Sequence, residues 1–181
     1  MKRNLLTSVL AILVFTVLLG VAYPLAITGI SQVAFHTNAN GNPKLIAKDT
    51  KGDPRYFQPR PSATKYDPNA TFFANRGPNQ ASARFFYRDQ LAAYLKLNGP
   101  YNPGLTNAKV PSDAVETSGS GVDPQISKAN AEIQARRVAA VRRLPLAKVQ
   151  QLVEDNTDGR FLGLLGEPGV NVTELNLALD R

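Results

Sequence analysis

The sequence predicts an α+β fold: a single N-terminal transmembrane helix followed by one extracytoplasmic mixed α/β domain. Three observations predict it. Residues 4–43 contain no Lys, Arg, Asp or Glu and begin with an almost wholly aliphatic run. Ten of the thirteen prolines fall within 43–124, which divides that half into turns and short extended pieces. Residues 128–143, by contrast, lack Pro and Gly and are dense in Ala and Arg, a composition suited to a helix.

The N-terminal segment comes first. A helix needs about 20 mostly apolar residues to cross the hydrocarbon core of a bilayer, and 5–26 supplies them, with 27–30 extending the run. Lys2 and Arg3 precede the run and the next cation is Lys44, an asymmetry that keeps the N-terminus inside. The expected division is a cytoplasmic N-terminus at 1–4, a transmembrane helix at 5–30 and an extracytoplasmic domain at 31–181. A cleaved secretory signal is the competing reading, with Gly20, Val21 and Ala22 as the cleavage site. An h-region spans roughly 7–15 residues; this run is longer, which favours a retained anchor. Within the bilayer, Thr16 and Gly20 form a small-x-x-x-small pair suited to helix packing.

The body of about 150 residues has the size of one ordinary domain. Prolines 59 and 61 hold 56–63 extended. A helix is expected within 77–97, capped by Asn79 or Ser82, with Phe85, Phe86, Leu91 and Leu95 at helical spacing and a stop at Asn98, Gly99 and Pro100. Residues 101–122 read as loop. Ser127 is expected to cap the helix of 128–143, whose shared face holds Ile133, Arg137, Ala140, Val141 and Leu144, with Gln134 at its edge. Pro145 closes that helix and suits the first turn of the next, which carries a stripe of Val149, Leu152 and Val153. Residues 160–165 read as a short strand before a turn at 166–169, and the tail switches from strand to helix near Asn171.

Composition excludes several chemistries. There is no Cys, so neither disulfides nor thiolate metal sites form, and a lone His36 beside the membrane run supports neither a triad nor a zinc site. No catalytic residue and no metal ligand is assigned. The net charge of +7 has no Lys or Arg run behind it, so nucleic acid is not the expected partner. No phosphate loop and no Asp-Lys-Thr-Gly phospho-acceptor occurs. Asn-x-Thr matches at Asn69 and Asn171 are at chance level.

Two features remain as candidate interaction or structural sites. Ser118, Gly119, Ser120 and Gly121, followed by Asp123, read either as a flexible connector or as a loop whose amides meet an anion. Arg137, semi-buried beside Gln134, reads either as a clamp on loop carbonyls or as a site for an anionic ligand or partner carboxylate. Arg60, inside the Pro59-Arg60-Pro61 segment, joins this set.

Several motifs, taken in order, resemble one family. Tyr23-Pro24-Leu25 ends the span, and Ala39-Asn40-Gly41, Tyr56-Phe57 and Arg60-Pro61-Ser62-Ala63 follow. Val110-Pro111 and the run from Ser118 through Asp123 to Ser127 come next, then Gln134-x-x-Arg137-Val138-Ala139-x-x-Arg142. Gly166-Glu167-Pro168-x-Val170-Asn171-Val172 closes the series, with Leu175-Asn176 and Leu179-Asp180 behind it. Together these resemble the C subunit of the Kdp potassium-transporting P-type ATPase, across the whole chain. Residues 42–55 and 72–79 depart from the family pattern.

The resemblance implies a non-catalytic accessory subunit of a high-affinity potassium-uptake complex in the cell inner membrane. It implies a channel-like A subunit, an ATP-hydrolysing B subunit and a small F subunit as partners. It also implies a catalytic-chaperone role that raises the B subunit's affinity for ATP, with Gln134 as the nucleotide-related position. No tightly bound cofactor is expected, and ATP enters only through the complex with the B subunit. The competing functional class is an anchored envelope protein that binds an anionic ligand through Arg137 and the loop of Ser118, Gly119, Ser120 and Gly121.

Overall fold

The structure is a computed structural model that describes residues 2–70, 72 and 74–181, so the Asn69-x-Thr71 match and the divergent loop 72–79 lie partly outside the described residues. The chain divides into two compact units, Met1–Pro43 and Lys44–Arg181.

The first unit is helix α1, Lys2–Ala34, long and apolar enough to cross a membrane, with none of its residues buried. At 1.5 Å per residue it extends about 50 Å. A π-helical turn interrupts it at Leu18–Ala22, where the Tyr23 N–H donates to the Leu18 carbonyl. The cause lies at Pro24, which has no N–H for the carbonyl four residues back, so the ladder widens by one residue just before it. Thr16 and Gly20 share a shallow groove with Ala11, Ile12, Phe15 and Leu19. The helix ends where Phe35 leaves helical geometry at φ −137°, and one further turn follows at His36–Ala39.

The second unit is α+β. Its helices are α2 (Ala81–Asn98), α3 (Lys128–Arg142), α4 (Leu146–Asp155) and α5 (Val172–Leu179). Strands β1 (Gln125–Ser127), β2 (Thr157–Asp158) and β3 (Gly169–Asn171) form one antiparallel sheet in the order β1-β3-β2. Val170 is central: it pairs with Ile126 on one side and Thr157 on the other. Ser127 caps α3 as expected, its hydroxyl accepting from Asn130 N–H at 3.1 Å, and Asn171 caps α5 by accepting from Glu174 N–H at 3.0 Å. The core gathers Phe57, Ile126, Ala131, Ala135, Val138, Val149, Val153, Val170 and Leu175.

Several expectations are corrected. Helix α2 begins after Gln80 with no side-chain cap, so neither Asn79 nor Ser82 serves. Its aromatic start faces outward: Phe85 is exposed, beneath the Arg88 guanidinium at 5.2 Å, and Phe86 stacks on Arg76 at 3.8 Å. Cations rather than the core cover these rings, and Ala83, Tyr94 and Asn98 are the buried positions.

Helix α3 is rotated from the predicted face. Ala140 is exposed and Ile133 and Val141 are only half-buried, whereas Asn130, Ala131, Gln134, Ala135, Arg137, Val138 and Ala139 are buried. Alanine lets α3 approach its neighbours closely, and its small side chain hides that fact from a count of large apolar residues. Pro145 is the N-cap of α4, one position before the first turn. Residues 160–165 are not a strand but a tight turn closed by a Phe161–Leu165 bridge; the strand that flanks β3 opposite β1 is β2, a few residues earlier.

Candidate functional site

Segment 54–58 has few means to join a sheet, since Pro54 and Pro59 bound it and each lacks an N–H. Its carbonyls still need donors once buried. Side chains of α3 and α5 provide them. Arg137 Nε donates to the Pro54 carbonyl at 3.1 Å and Nη2 to that of Tyr56 at 2.6 Å. Arg142 Nε takes the Arg55 carbonyl at 2.8 Å. Asn176 takes the Phe57 carbonyl at 2.9 Å and accepts from Phe57 N–H at the same distance. Gln134 Nε2 takes the Gln58 carbonyl at 3.1 Å and its Oε1 accepts from Gln58 N–H at 2.7 Å. Five successive carbonyls are thus held by side chains, and Phe57 is driven into the core between them with no exposed surface.

The holding groups are themselves locked. Asn130, Gln134 and Arg137 lie at i, i+4 and i+7 on one line of α3, the spacing that aligns side chains along a helix. Gln134 Nε2 donates to Asn130 Oδ1 at 2.9 Å, and Arg137 Nη2 donates to Gln134 Oε1 at 3.1 Å. Arg137 Nη1 donates to Asn98 Oδ1 at 2.8 Å, which ties the line to the end of α2. The Tyr94 hydroxyl donates to Asn130 Oδ1 at 2.9 Å, and Asn130 Nδ2 donates to Asp113, which also accepts from the Ser127 N–H and hydroxyl. Burial pushes the Tyr94 phenol above its ordinary range.

Arg137 is fully buried, deeper than the semi-buried position expected from the sequence, and among the described residues no carboxylate touches it. Burial lowers its pKa to about 10, so it stays charged at neutral pH, surrounded by carbonyl and amide oxygens. That is the arrangement of a clamp. Gln134 is 1% exposed, and its two donors and two acceptor sites are all in use.

A cavity of about 250 Å³ lies against Gln134, walled by Gln58, Pro61, Tyr66, Gln90 and Tyr94, and its lining contains no Lys or Arg. Burial raises the pKa of the Tyr66 phenol to about 12, with a smaller push from Asp49.

The other predicted residues form a second knot. Ser118 N–H donates to the Pro61 carbonyl at 2.8 Å. Its hydroxyl accepts from Gly121 N–H and Asp123 N–H, and Ser120 Oγ accepts from Val122 N–H. The amides that could have met an anion at positions 118, 121, 122 and 123 are therefore engaged within the protein, while Gly119 and Ser120 are exposed. Ser62 Oγ and Thr64 Oγ1 both donate to the Gly121 carbonyl, and Arg60 pairs with Asp123 at 3.6 Å.

The two knots share segment 54–64 but not side chains. Reasoning from sequence missed Asn98, Asp113, Asn130 and Asn176. The i, i+4, i+7 line of Asn130, Gln134 and Arg137 was the available signal, since three polar residues aligned beside alanines mark a buried polar seam.

At the mouth of segment 54–58, Asp53 accepts from the Arg55 side chain at 2.6 Å and from the Arg55 N–H at 2.9 Å. These bonds, the side-chain one foremost, lower its pKa from 3.8 to about 2. Its folded pKa lies below the unfolded value, so its stabilisation is present above pH 3.8 and lost as pH falls through about 2. Thermal melts between those limits should show a decline in the native protein that is smaller in Asp53→Asn.

Fold and site together define a small module of two parts: an apolar helix long enough for a membrane, and a body whose buried polar seam is occupied in holding its own backbone. The family model described as the K+-transporting ATPase c chain, KdpC, matches residues 5–181. The chain is 43% identical to the potassium-transporting ATPase KdpC subunit of Mycobacterium tuberculosis H37Rv, over the full length of both. It is 42% identical to the KdpC subunit of Caulobacter sp. K31, covering 99% of this chain and 94% of that one. The KdpC subunit of Methylococcus capsulatus Bath is 44% identical over 96% and 95% of the two chains. The chain belongs to the KdpC family, and is a subunit of a potassium-transporting ATPase.

Proposed function

We propose that this chain is the non-catalytic accessory subunit of a high-affinity ATP-driven potassium-uptake complex. Helix α1 anchors it in the cell inner membrane, with Lys2 and Arg3 inside and the body outside. Its partners are a channel-like A subunit, an ATP-hydrolysing B subunit and an F subunit. The observation that carries the reading is the seam on α3: Asn130, Gln134 and Arg137 are fully engaged in fixing segment 54–58, which makes the body a rigid docking piece. The cation asymmetry around α1 supports the orientation.

A role in raising the B subunit's ATP affinity fits the same seam, acting at a distance. Gln134 has no free hydrogen-bonding group, and the cavity beside it offers no cation to a triphosphate. Drug-sized ligand sites usually exceed about 300 Å³. Gln134 therefore influences nucleotide binding by positioning segment 54–58 for contact with its neighbours.

Deleting the gene should abolish growth at very low potassium and leave growth at ample potassium intact; normal scavenging would overturn the assignment. Complexes purified from strains complemented with Gln134→Ala or Asn176→Ala then separate positioning from ligation. Asn176 grips the same segment from α5 and does not line the cavity. Both variants should raise the half-saturating ATP concentration alike, whereas an effect confined to Gln134→Ala would mean direct contact with nucleotide. In spheroplasts of the same strains, added trypsin should reach the C-terminal body.

A further inference from the structure

We propose that the turn at 160–167 is a membrane-inserting spike that seats the body on the bilayer surface, an inference resting on the reading of α1 as a membrane anchor. Phe161, Leu162, Leu164 and Leu165 are 70, 79, 80 and 62% exposed, four bulky apolar side chains around Gly163 at φ +76°. Nothing in the chain's core accounts for them: Phe161 and Leu165 are bridged to each other through backbone, and the side chains project outward.

Four of the five backbone N–H groups at 161–165 are paired within the turn. Phe161 N–H donates to the Leu165 carbonyl at 2.8 Å, Leu165 N–H returns to the Phe161 carbonyl at 3.0 Å, and Gly163 and Leu164 N–H groups donate to the Arg160 and Phe161 carbonyls. A turn that pairs most of its own amides enters the interfacial region at lower cost than an open loop, whose amides all need outside partners.

The side chains point to lipid in preference to another protein. Protein interfaces carry about one hydrogen bond per 100–200 Å² and favour Tyr, Trp and Arg over Leu, and the tip has no side-chain donor or acceptor. At its base Arg160 pairs with Glu167 at 3.1 Å, placing charged groups where headgroups would lie. Reach and charge agree. Segment 35–43 between α1 and the body spans roughly 30 Å at most, comparable with the width of a body of this size. Beyond Lys2 and Arg3 the chain has 19 cations against 14 acids, which favours an anionic surface.

The chain contains no Trp, so single reporters can be introduced without background. Full-length Phe161→Trp and Phe15→Trp proteins are reconstituted in phosphatidylethanolamine–phosphatidylglycerol vesicles with or without brominated acyl chains. Phe15→Trp reports the anchor. For Phe161→Trp, bromines near the headgroup end should reduce emission about twofold and terminal bromines less, because interfacial segments sit on the order of 5–10 Å deep. Adding Leu162→Asp and Leu164→Asp should abolish that quenching.

Quenching of Phe15→Trp without Phe161→Trp overturns the spike and leaves the anchor standing. Absence of quenching in both overturns the anchor as well. Emission of Phe161→Trp that is insensitive to bromine but shifts to the blue when the other subunits are present makes a protein surface the occupant and also overturns the inference.

Discussion

Replacing Arg137 with Ala is expected to lower the melting temperature of the purified protein by roughly 10–20 °C, the equivalent of about 3–5 kcal/mol for a body of this size. The guanidinium reaches four acceptors in different directions: the carbonyls of Pro54 and Tyr56, Asn98 Oδ1 and Gln134 Oε1. Alanine leaves those oxygens buried with fewer donors, and each unsatisfied group costs about 1–3 kcal/mol. It also empties the space of a large side chain with no exposed surface. Against a typical stability of about 5–15 kcal/mol this is a large fraction. Arg137→Lys should recover less than half of the loss, because one ammonium cannot serve a diverging fork of acceptors. Circular dichroism melts of the three detergent-solubilised proteins decide it; an Arg137→Ala melt within about 3 °C of the parent would mean that water takes over these carbonyls.

Gly121→Ala should cost about 2–4 kcal/mol, through backbone strain and overlap together. Gly121 has φ +79°, and a Cβ built there would lie 2.5 Å from Thr64 Oγ1 and 2.8 Å from Thr64 Cγ2. Either loop must shift, and with it the bonds from Ser62 and Thr64 to the Gly121 carbonyl. Thr64→Ala alone should cost about 1 kcal/mol for its lost hydrogen bond. The double variant should be more stable than the sum of the singles predicts, by about 1–2 kcal/mol, because the overlap is shared. Urea midpoints of the four proteins give that coupling directly. Additive effects would show that strain at position 121, and not the Thr64 contact, sets the requirement for glycine.

Both predictions depend on contacts between residues far apart in the chain, which is where reading from sequence fell short. The helix of 128–143 was legible from its Ser127 cap and lack of breakers, and the strand-to-helix change at Asn171 from its alternating valines. Its inward face was not. Large apolar residues were counted as the core-facing set, yet Ala131, Ala135 and Ala139 make the close contacts while Ile133 and Val141 sit at the margin. The aromatic start of α2 fits the helix predicted there without serving its buried face, since Phe85 and Phe86 are covered by Arg88 and Arg76. The run 160–165 had strand-like residues, and Gly163 with Leu162 at φ +53° turned it into a spike.

Local chemistry therefore determined the elements and the long apolar helix. An uncharged aliphatic run is apolar whatever surrounds it, a capping serine acts on amides three residues away, and proline bars a ladder at its own position. These effects act within a few residues, so the chain displays them directly. Only the tertiary structure decided that five carbonyls of 54–58 are held by Gln134, Arg137, Arg142 and Asn176, or that Thr64 forbids a side chain at position 121. Those outcomes require segments 57 to 119 positions apart to meet. Their partners are selected by which buried oxygen lacks a donor once the core has closed, a condition that does not exist until the chain has folded.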